Sequence, residues 1–173
     1  VITCPSDITS GVDSAVCGAM ITYDTPVGTD NCPGQLTVQN TGLGTGAVYP
    51  VGTTTEQYTV TDAVGNSASC SFTIEIFDNE RPLISCPADV TQSVDLGICG
   101  AEVTYNAPVG TDNCAGQVTV QTTGLGSGAT YPVGTTTESY TVTDTSSNSA
   151  SCSFTITIVD DEMPTISCPA SIT

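Results

Sequence analysis

The sequence contains no histidine, no lysine and no tryptophan, and its only basic side chain is Arg81. Without histidine or lysine the usual general bases, Schiff-base amines and catalytic triads are missing, so the chain is read as no enzyme. Missing lysine also excludes a Lys–Asn isopeptide crosslink of the kind some bacterial surface sandwiches use. It leaves trypsin one poor site, Arg81 before Pro82. Carboxylate pairs that cleave glycosides need more than a β-turn around them. Here they have no such context and no tryptophan platform for a sugar. Helical periodicity is absent as well, so Gly42–Gly46 is a connection and not a phosphate loop. No apolar run reaches transmembrane length, and no Asn-x-Ser/Thr sequon occurs.

Positive charge is the deepest deficit. Eighteen acidic residues face one basic residue, for a net charge of −17. Such a field repels nucleic acid and anionic membrane surfaces and excludes both as partners. It favours cations.

What is present is repetition. Cys4, Cys17, Cys32 and Cys70 recur 82 residues later as Cys86, Cys99, Cys114 and Cys152. Aligned without a gap, residues 1–82 and 83–164 are identical at 56 positions. A fixed period marks a repeated structural unit, and this one is long enough to be a domain. The organisation expected is a first copy over 1–80, a second over 81–162, and the first strand of a third, truncated copy over 163–173. Both ends fall inside the same motif (Ile2-Thr3-Cys4-Pro5 and Ile166-Ser167-Cys168-Pro169), so the chain reads as a window onto a longer array. Nine cysteines at recurring spacings, with no CxxC pair and no histidine, point to disulfides in an oxidising compartment rather than to zinc.

The secondary-structure signal is β throughout, with Thr, Val, Ile and Tyr runs punctuated by Gly, Pro, Asn and Asp. The two copies orient the strands. Met20 becomes Glu102, so that position faces water, and Ala19, Ile21 and Tyr23 face the core by period-two alternation. Cys70, Phe72, Ile74 and Ile76 alternate with polar neighbours in the same way. Further strands are expected over Ile2–Thr9, Gln35–Gln39 and Thr53–Thr61, and around Leu43–Pro50. Roughly seven short strands in about 80 residues suggest an all-β fold of tandem immunoglobulin-like β-sandwich domains. Glu56 and Glu138 share the inward parity of Tyr58 and Tyr140, and nothing in the sequence neutralises them.

Ile2-Thr3-Cys4-Pro5, Asp30-Asn31, Tyr49-Pro50-Val51-Gly52-Thr53-Thr54-Thr55, Tyr58-Thr59-Val60-Thr61-Asp62, Gly65-Asn66 and Cys70-Ser71-Phe72-Thr73-Ile74 together resemble the hyalin repeat (HYR) domain in order and spacing. The resemblance covers both copies and the start of the third, and the four-cysteine form is similar to arrays in bacterial secreted and surface proteins. It implies an extracellular or cell-surface immunoglobulin-like module, often in tandem, associated with adhesion and without a defined catalytic residue. The second copy departs at one turn, where Ser147-Asn148 replaces Gly65-Asn66.

In such a sandwich the first and last strands are neighbours, which pairs Cys4 with Cys70 and Cys86 with Cys152. Cys17 and Cys32, with their counterparts Cys99 and Cys114, have several routes. A strand of about eight residues between Cys17 and Cys32 would span ~26 Å, whereas a disulfide needs Cα atoms about 4.4–6.8 Å apart. Either the chain over 24–31 folds back to join Cys17 to Cys32, or Cys17 bonds to Cys114 of the next copy, or these cysteines are free thiols or bond between chains. Cys168 belongs to the third copy.

The acidic residues gather where copies meet. The linkers read Asp78-Asn79-Glu80 and Asp160-Asp161-Glu162, and the loop Asp112-Asn113 and the strand end Asp144 are expected beside the first of them. Asp30, Asn31 and Asp62 are the first copy's counterparts of these loop residues. Calcium takes six to eight oxygen ligands from carboxylates, amides and carbonyls, and this set supplies many. Cadherins place acidic linkers and loop carboxylates analogously. The cofactor expected is Ca2+.

The function expected is a structural repeat unit of an extracellular fibre or surface stalk, stiffened by calcium at the junctions and by disulfides. Its partners would be adjacent copies in a linear array or filament. The alternative is an adhesive binding module for a polysaccharide or cell-surface partner. Asp13-Ser14-Ala15, which resembles a bacterial O-glycosylation site, adds glycans to the partners considered. Near-identical consecutive copies favour the stalk, since a stalk needs many equivalent units and a specific binding site needs one.

Overall fold

A computed structural model describes residues 1–169. The chain forms two compact units. The first comprises Val1–Arg81 with two loops of the second repeat, Asp112–Gly116 and Asp144–Asn148. The second comprises Pro82–Thr111, Gln117–Thr143 and the chain from Ser149 onward. The part of the expected third-copy strand that falls on 170–173 lies outside the described residues. Among the described residues no helix is long and apolar enough to cross a membrane.

The first repeat contains β1 (Ile8–Gly11), β2 (Gly18–Ile21), β3 (Leu36–Thr41), β4 (Ala47–Pro50), β5 (Gly52–Thr61) and β6 (Ser67–Phe77). The second contains β7 (Val90–Ser93), β8 (Gly100–Val103), β9 (Val118–Thr123), β10 (Ala129–Pro132), β11 (Gly134–Thr143) and β12 (Ser149–Val159). In each repeat a four-stranded sheet, ordered β1-β6-β5-β3 or β7-β12-β11-β9, faces a two-stranded one, β2-β4 or β8-β10. The first strand runs parallel to the last, and all other pairs are antiparallel. The fold is all-β, two tandem β-sandwich domains.

Period-two alternation sets the core. Met20 is 61% exposed between Ala19 and Ile21, which are buried against Tyr49, Tyr58, Phe72, Ile74 and Ile76. Six strands form per repeat rather than roughly seven. The expected strand Ile2–Thr9 shortens to Ile8–Gly11 because the chain before it leaves the ladder. Pro5 has no N–H to offer, and the Asp7 carboxylate accepts the Thr73 N–H at 2.7 Å, one residue before Ile8 pairs with Ile74. Asp89 does the same for Thr155.

The inward glutamates are also accounted for. Glu56 is fully buried in a shell of donors: Tyr23 Oη, Gln39 Nε2, Tyr49 Oη and the N–H groups of Leu43 and Gly44. Glu138 has the same five donors in Tyr105, Gln121, Tyr131, Leu125 and Gly126. Hydrogen bonds, not a counter-charge, compensate the buried group. Gly42 is required here, because its φ is +100° and a Cβ there would lie 2.1 Å from Glu56 Oε1.

Disulfides complete the frame. Cys4–Cys70 and Cys86–Cys152 tie first strand region to last in each repeat, each with Cα atoms 5.6 Å apart. Cys17 bonds to Cys114, with Cα atoms 4.8 Å apart, inside the first unit. The alternative Cys17–Cys32 bond is therefore not formed. Cys32 and Cys99, expected among the disulfide cysteines, are exposed thiols, as is Cys168.

Burial, then hydrogen bonding to Glu56, raises the Tyr49 phenol to about 12. Burial likewise raises Tyr131 to about 12 and lifts Tyr23 and Tyr105 further. A folded pKa above the unfolded value of about 10 gives stability that is complete below pH 10 and lost as pH rises towards the folded value. The melting temperature should thus hold to about pH 9 and fall beyond 10, with most tyrosinate absorbance appearing together with the loss of β signal. Tyrosinate formation in a still-folded chain near pH 10 would contradict this. Glu56→Ala, which removes the acceptor of five donors, the Tyr49 hydroxyl among them buried, should cost about 3 kcal/mol. Peptide mapping under non-reducing conditions, with a protease other than trypsin, should recover Cys17 joined to Cys114. Cys17→Ser should lower stability by about 2–5 kcal/mol, and a Cys17–Cys32 peptide would overturn the pairing.

Candidate metal centre

The inward alternation of β6 runs past its end. Phe72, Ile74 and Ile76 are buried, and Asp78, the next residue of that parity, is only 6% exposed. A carboxylate thus takes the position where the strand's pattern calls for an apolar side chain. One oxygen, Oδ1, accepts the Glu80 N–H at 3.1 Å.

Two loops of the first unit meet it. In one, Asp112 Oδ1 accepts the Cys114 N–H at 2.9 Å, Asn113 Nδ2 donates to the Val16 carbonyl at 2.9 Å, and Cys114 is bonded to Cys17. In the other, Asp144 closes a turn. Its Oδ1 accepts the N–H groups of Ser146 and Asn148, and its Oδ2 accepts Asn148 Nδ2. Asn148 Nδ2 also donates to the Asp78 carbonyl at 3.2 Å. The Ser147-Asn148 departure leaves the turn unchanged: Ser147 takes φ +73° where Gly65 has +94°, and the backbone bonds match.

Three oxygens in this cluster are buried with no donor: Asp78 Oδ2, Asp112 Oδ2 and Asn113 Oδ1. They are the described side-chain atoms left in that condition. Ligand atoms of Asp78, Asp112 and Cys114 lie within 4.8 Å of one another. The Cys114 sulfur is spent in its disulfide, so the available donors are all oxygen. Burial raises the Asp78 carboxyl above the usual range, and the charges of Asp112, Asp144 and Glu80 raise it further against the Glu80 N–H bond. Unsatisfied buried carboxylate oxygens are costly, and a hard divalent cation would satisfy all three at once.

The other expected ligands stand elsewhere. The Asn79 side chain lies over Gly11, within 2.7 Å of where a Cβ there would sit. Glu80 Oε2 accepts the Ala15 N–H at 3.0 Å. Asp144 borders the cluster, but its oxygens serve its own turn. Asp30 and Asp62 line a separate shallow cavity of the first unit with Asn66, and Asn31 is exposed. Asp160, Asp161 and Glu162 are exposed in the second unit, where Asp161 accepts Ser93 Oγ and Glu162 accepts the Gly97 N–H. Sequence reasoning missed Asn148 and the Val16 carbonyl. The Asx-type turn marks Asn148 as a turn residue, but its second bond depends on tertiary contact alone.

The HYR domain family profile matches residues 1–76 and 77–158. Hyalin of Strongylocentrotus purpuratus is 37% identical over 86% of the chain, and hyalin of Lytechinus variegatus is 35% identical over 99%. The sushi, von Willebrand factor type A, EGF and pentraxin domain-containing protein 1 of Rattus norvegicus is 29% identical over 91%. The chain spans 13%, 33% and 4% of the lengths of these three relatives, respectively. Among solved structures, protocadherin gammaB7 EC3-6 aligns with a TM-score of 0.38 at 13% identity over 92% of this chain and 47% of its own. Human protocadherin-24 EC1-2 gives 0.37 at 13% identity, over 91% of this chain and 95% of its own. With both copies matched over nearly their whole length, the chain belongs to the HYR domain family, as two tandem repeats.

Proposed function

We propose that the chain is a structural segment of an extracellular repeat array, a fibre or surface stalk, whose junction between consecutive repeats is locked by calcium and a disulfide. The observation that carries this reading is the set of three orphaned, buried oxygens on Asp78, Asp112 and Asn113. Asp78 comes from the end of the first repeat, and Asp112 and Asn113 come from a loop of the second. An ion they share draws together two segments that charge alone would drive apart. Backbone carbonyls and water complete the six to eight oxygens calcium takes, and its tolerance of irregular geometry suits a site built from loops better than magnesium's octahedral demand.

The rest of the chain suits a passive role. The chain has no histidine and no lysine, and six of its nine cysteines are disulfide-bonded, as an oxidising compartment allows. The two copies repeat one another at the level of single hydrogen bonds, down to the glutamate shell and the Asp7 and Asp89 contacts. Such redundancy serves length and rigidity and adds nothing to a single specific site.

Thermal denaturation of monomeric protein in calcium and in chelator tests this reading. At a free-ion concentration about a thousandfold above Kd, binding adds about 4 kcal/mol of stability. Calcium should raise the melting temperature of the wild type and of Asp30→Asn, and leave Asp112→Asn unmoved. Equal melting in calcium and chelator, or an Asp112→Asn variant that responds like the wild type, would show that scattered surface carboxylates do no such work.

A further inference from the structure

Three ties converge on the short turn 15–17 of the first unit. The Ala15 N–H donates to Glu80 Oε2 at 3.0 Å, which holds the linker carrying Asp78. The Val16 carbonyl accepts Asn113 Nδ2 at 2.9 Å, and Cys17 is bonded to Cys114. These last two ties hold the loop carrying Asp112 and Asn113. The turn thus grips both segments that bear the three orphaned oxygens. One hydrogen bond and one covalent bond secure its grip on the loop.

The covalent bond is built into the site. The Cys114 N–H donates to Asp112 Oδ1 at 2.9 Å, and the Cys114 sulfur lies within 4.8 Å of ligand atoms of Asp78 and Asp112. Cys114 is buried but Cys17 is exposed, so a reductant reaches this bond without unfolding the sandwich. The other two disulfides differ. All four of their cysteines are half-buried, and each pair closes one repeat on itself. Exposed disulfides are the labile and regulatory ones.

We infer that the Cys17–Cys114 disulfide and the calcium ion are coupled through this loop: closing the bond tightens calcium binding, and calcium protects this bond, but not Cys86–Cys152, against reduction. The inference rests on the calcium reading above and adds the regulation of that site. Its physical cause is repulsion. The charges of Asp112, Asp144 and Glu80 all act on Asp78. With the disulfide open, a single hydrogen bond from Asn113 opposes that repulsion, and an arriving ion must first draw the loop back. With it closed, the loop is already in place, and the ion removes the repulsion that the bond was holding. A coupling free energy is reciprocal, so both effects carry the same factor. The site then closes fully only where the surroundings are both oxidising and rich in calcium, as outside a cell.

Reduction by a dithiol runs through Cys17. One thiolate of the reductant attacks the exposed Cys17 sulfur, and Cys114 leaves as a thiolate and takes up a proton. The second thiolate of the reductant then displaces Cys17, which also takes up a proton, and the reductant closes its own disulfide. The cysteine pair gains two electrons and two protons, and the dithiol loses them.

The test uses the full chain carrying Cys32→Ser, Cys99→Ser and Cys168→Ser, which removes the exposed thiols and prevents rearrangement. It is equilibrated with mixtures of reduced and oxidised dithiothreitol, in calcium or in chelator, and its thiols are trapped by alkylation and mapped. Calcium should move the Cys17–Cys114 midpoint about tenfold towards more reducing mixtures, or about 30 mV, and leave Cys86–Cys152 unmoved. Titration with calcium should give a Kd about tenfold weaker once Cys17→Ser and Cys114→Ser are added. The redox titration alters neither of those cysteines, so it decides the matter even if the added changes prevent folding. Calcium binding with an unmoved Cys17–Cys114 midpoint overturns the coupling and keeps the calcium reading. An equal shift at Cys86–Cys152 also overturns the coupling, since it marks general stabilisation. Calcium binding by neither form sinks both.

Discussion

One oxygen from each of two carboxylates and one amide oxygen, enclosed without a donor, set the terms for the rest of this molecule. The alternation of β6 drives Asp78 inward, and the Cys17–Cys114 disulfide brings Asp112 and Asn113 against it. The chain has no lysine or histidine to place there, and its one arginine, Arg81, is exposed. Left alone, the arrangement is repulsive and poorly solvated. On the calcium reading proposed above, a divalent ion would make the same geometry cohesive, because its attraction to carboxylates grows as water is excluded. On that reading composition and site share one logic: a chain with almost no positive charge would draw it from solution.

The sandwiches depend on a second buried acid, handled in the opposite way. A domain of about 80 residues has a thin core, and here it lacks tryptophan. Glu56 and Glu138 fill core positions of β5 and β11 and gather tyrosine hydroxyls and loop N–H groups around them. The Gly42–Gly46 connection, which sequence alone marks only as glycine-rich, is wrapped on the Glu56 carboxylate through Leu43 and Gly44. A polar centre then does the ordering that a larger apolar core would do. It leaves no carboxylate oxygen unmet.

What was legible in the sequence was whatever a period carries. The repeat placed the domains' equivalences, and the alternation of two placed Ala19, Ile21, Phe72 and Ile74 inside and Met20 outside. It even put Glu56 inside with its partners unnamed. The Ile2–Thr9 strand was overextended because β-propensity registers residue type and cannot see that the Asp7 side chain replaces the backbone at Thr73. The partner of Cys17 stayed open between Cys32 and Cys114, since spacing limits reach within one repeat and says nothing about which loop of another segment arrives. Among the acidic residues, convergence on Asp78 and Asp112 was readable, but Asn79 and Glu80 were grouped with them by adjacency. The period of two sends Asn79 to the opposite side, over Gly11, and the Ala15 N–H claims Glu80.

Ion stoichiometry tests the central claim most directly. Native mass spectrometry of the monomeric 173-residue chain, taken from calcium and dialysed free of excess ion, counts what the junction retains. With one completed junction per chain, about one calcium should remain bound to the wild type and none to Asp78→Asn. Retention of no ion, or a broad distribution of ions that the Asp78→Asn change leaves untouched, would contradict a junction built around a single shared cation.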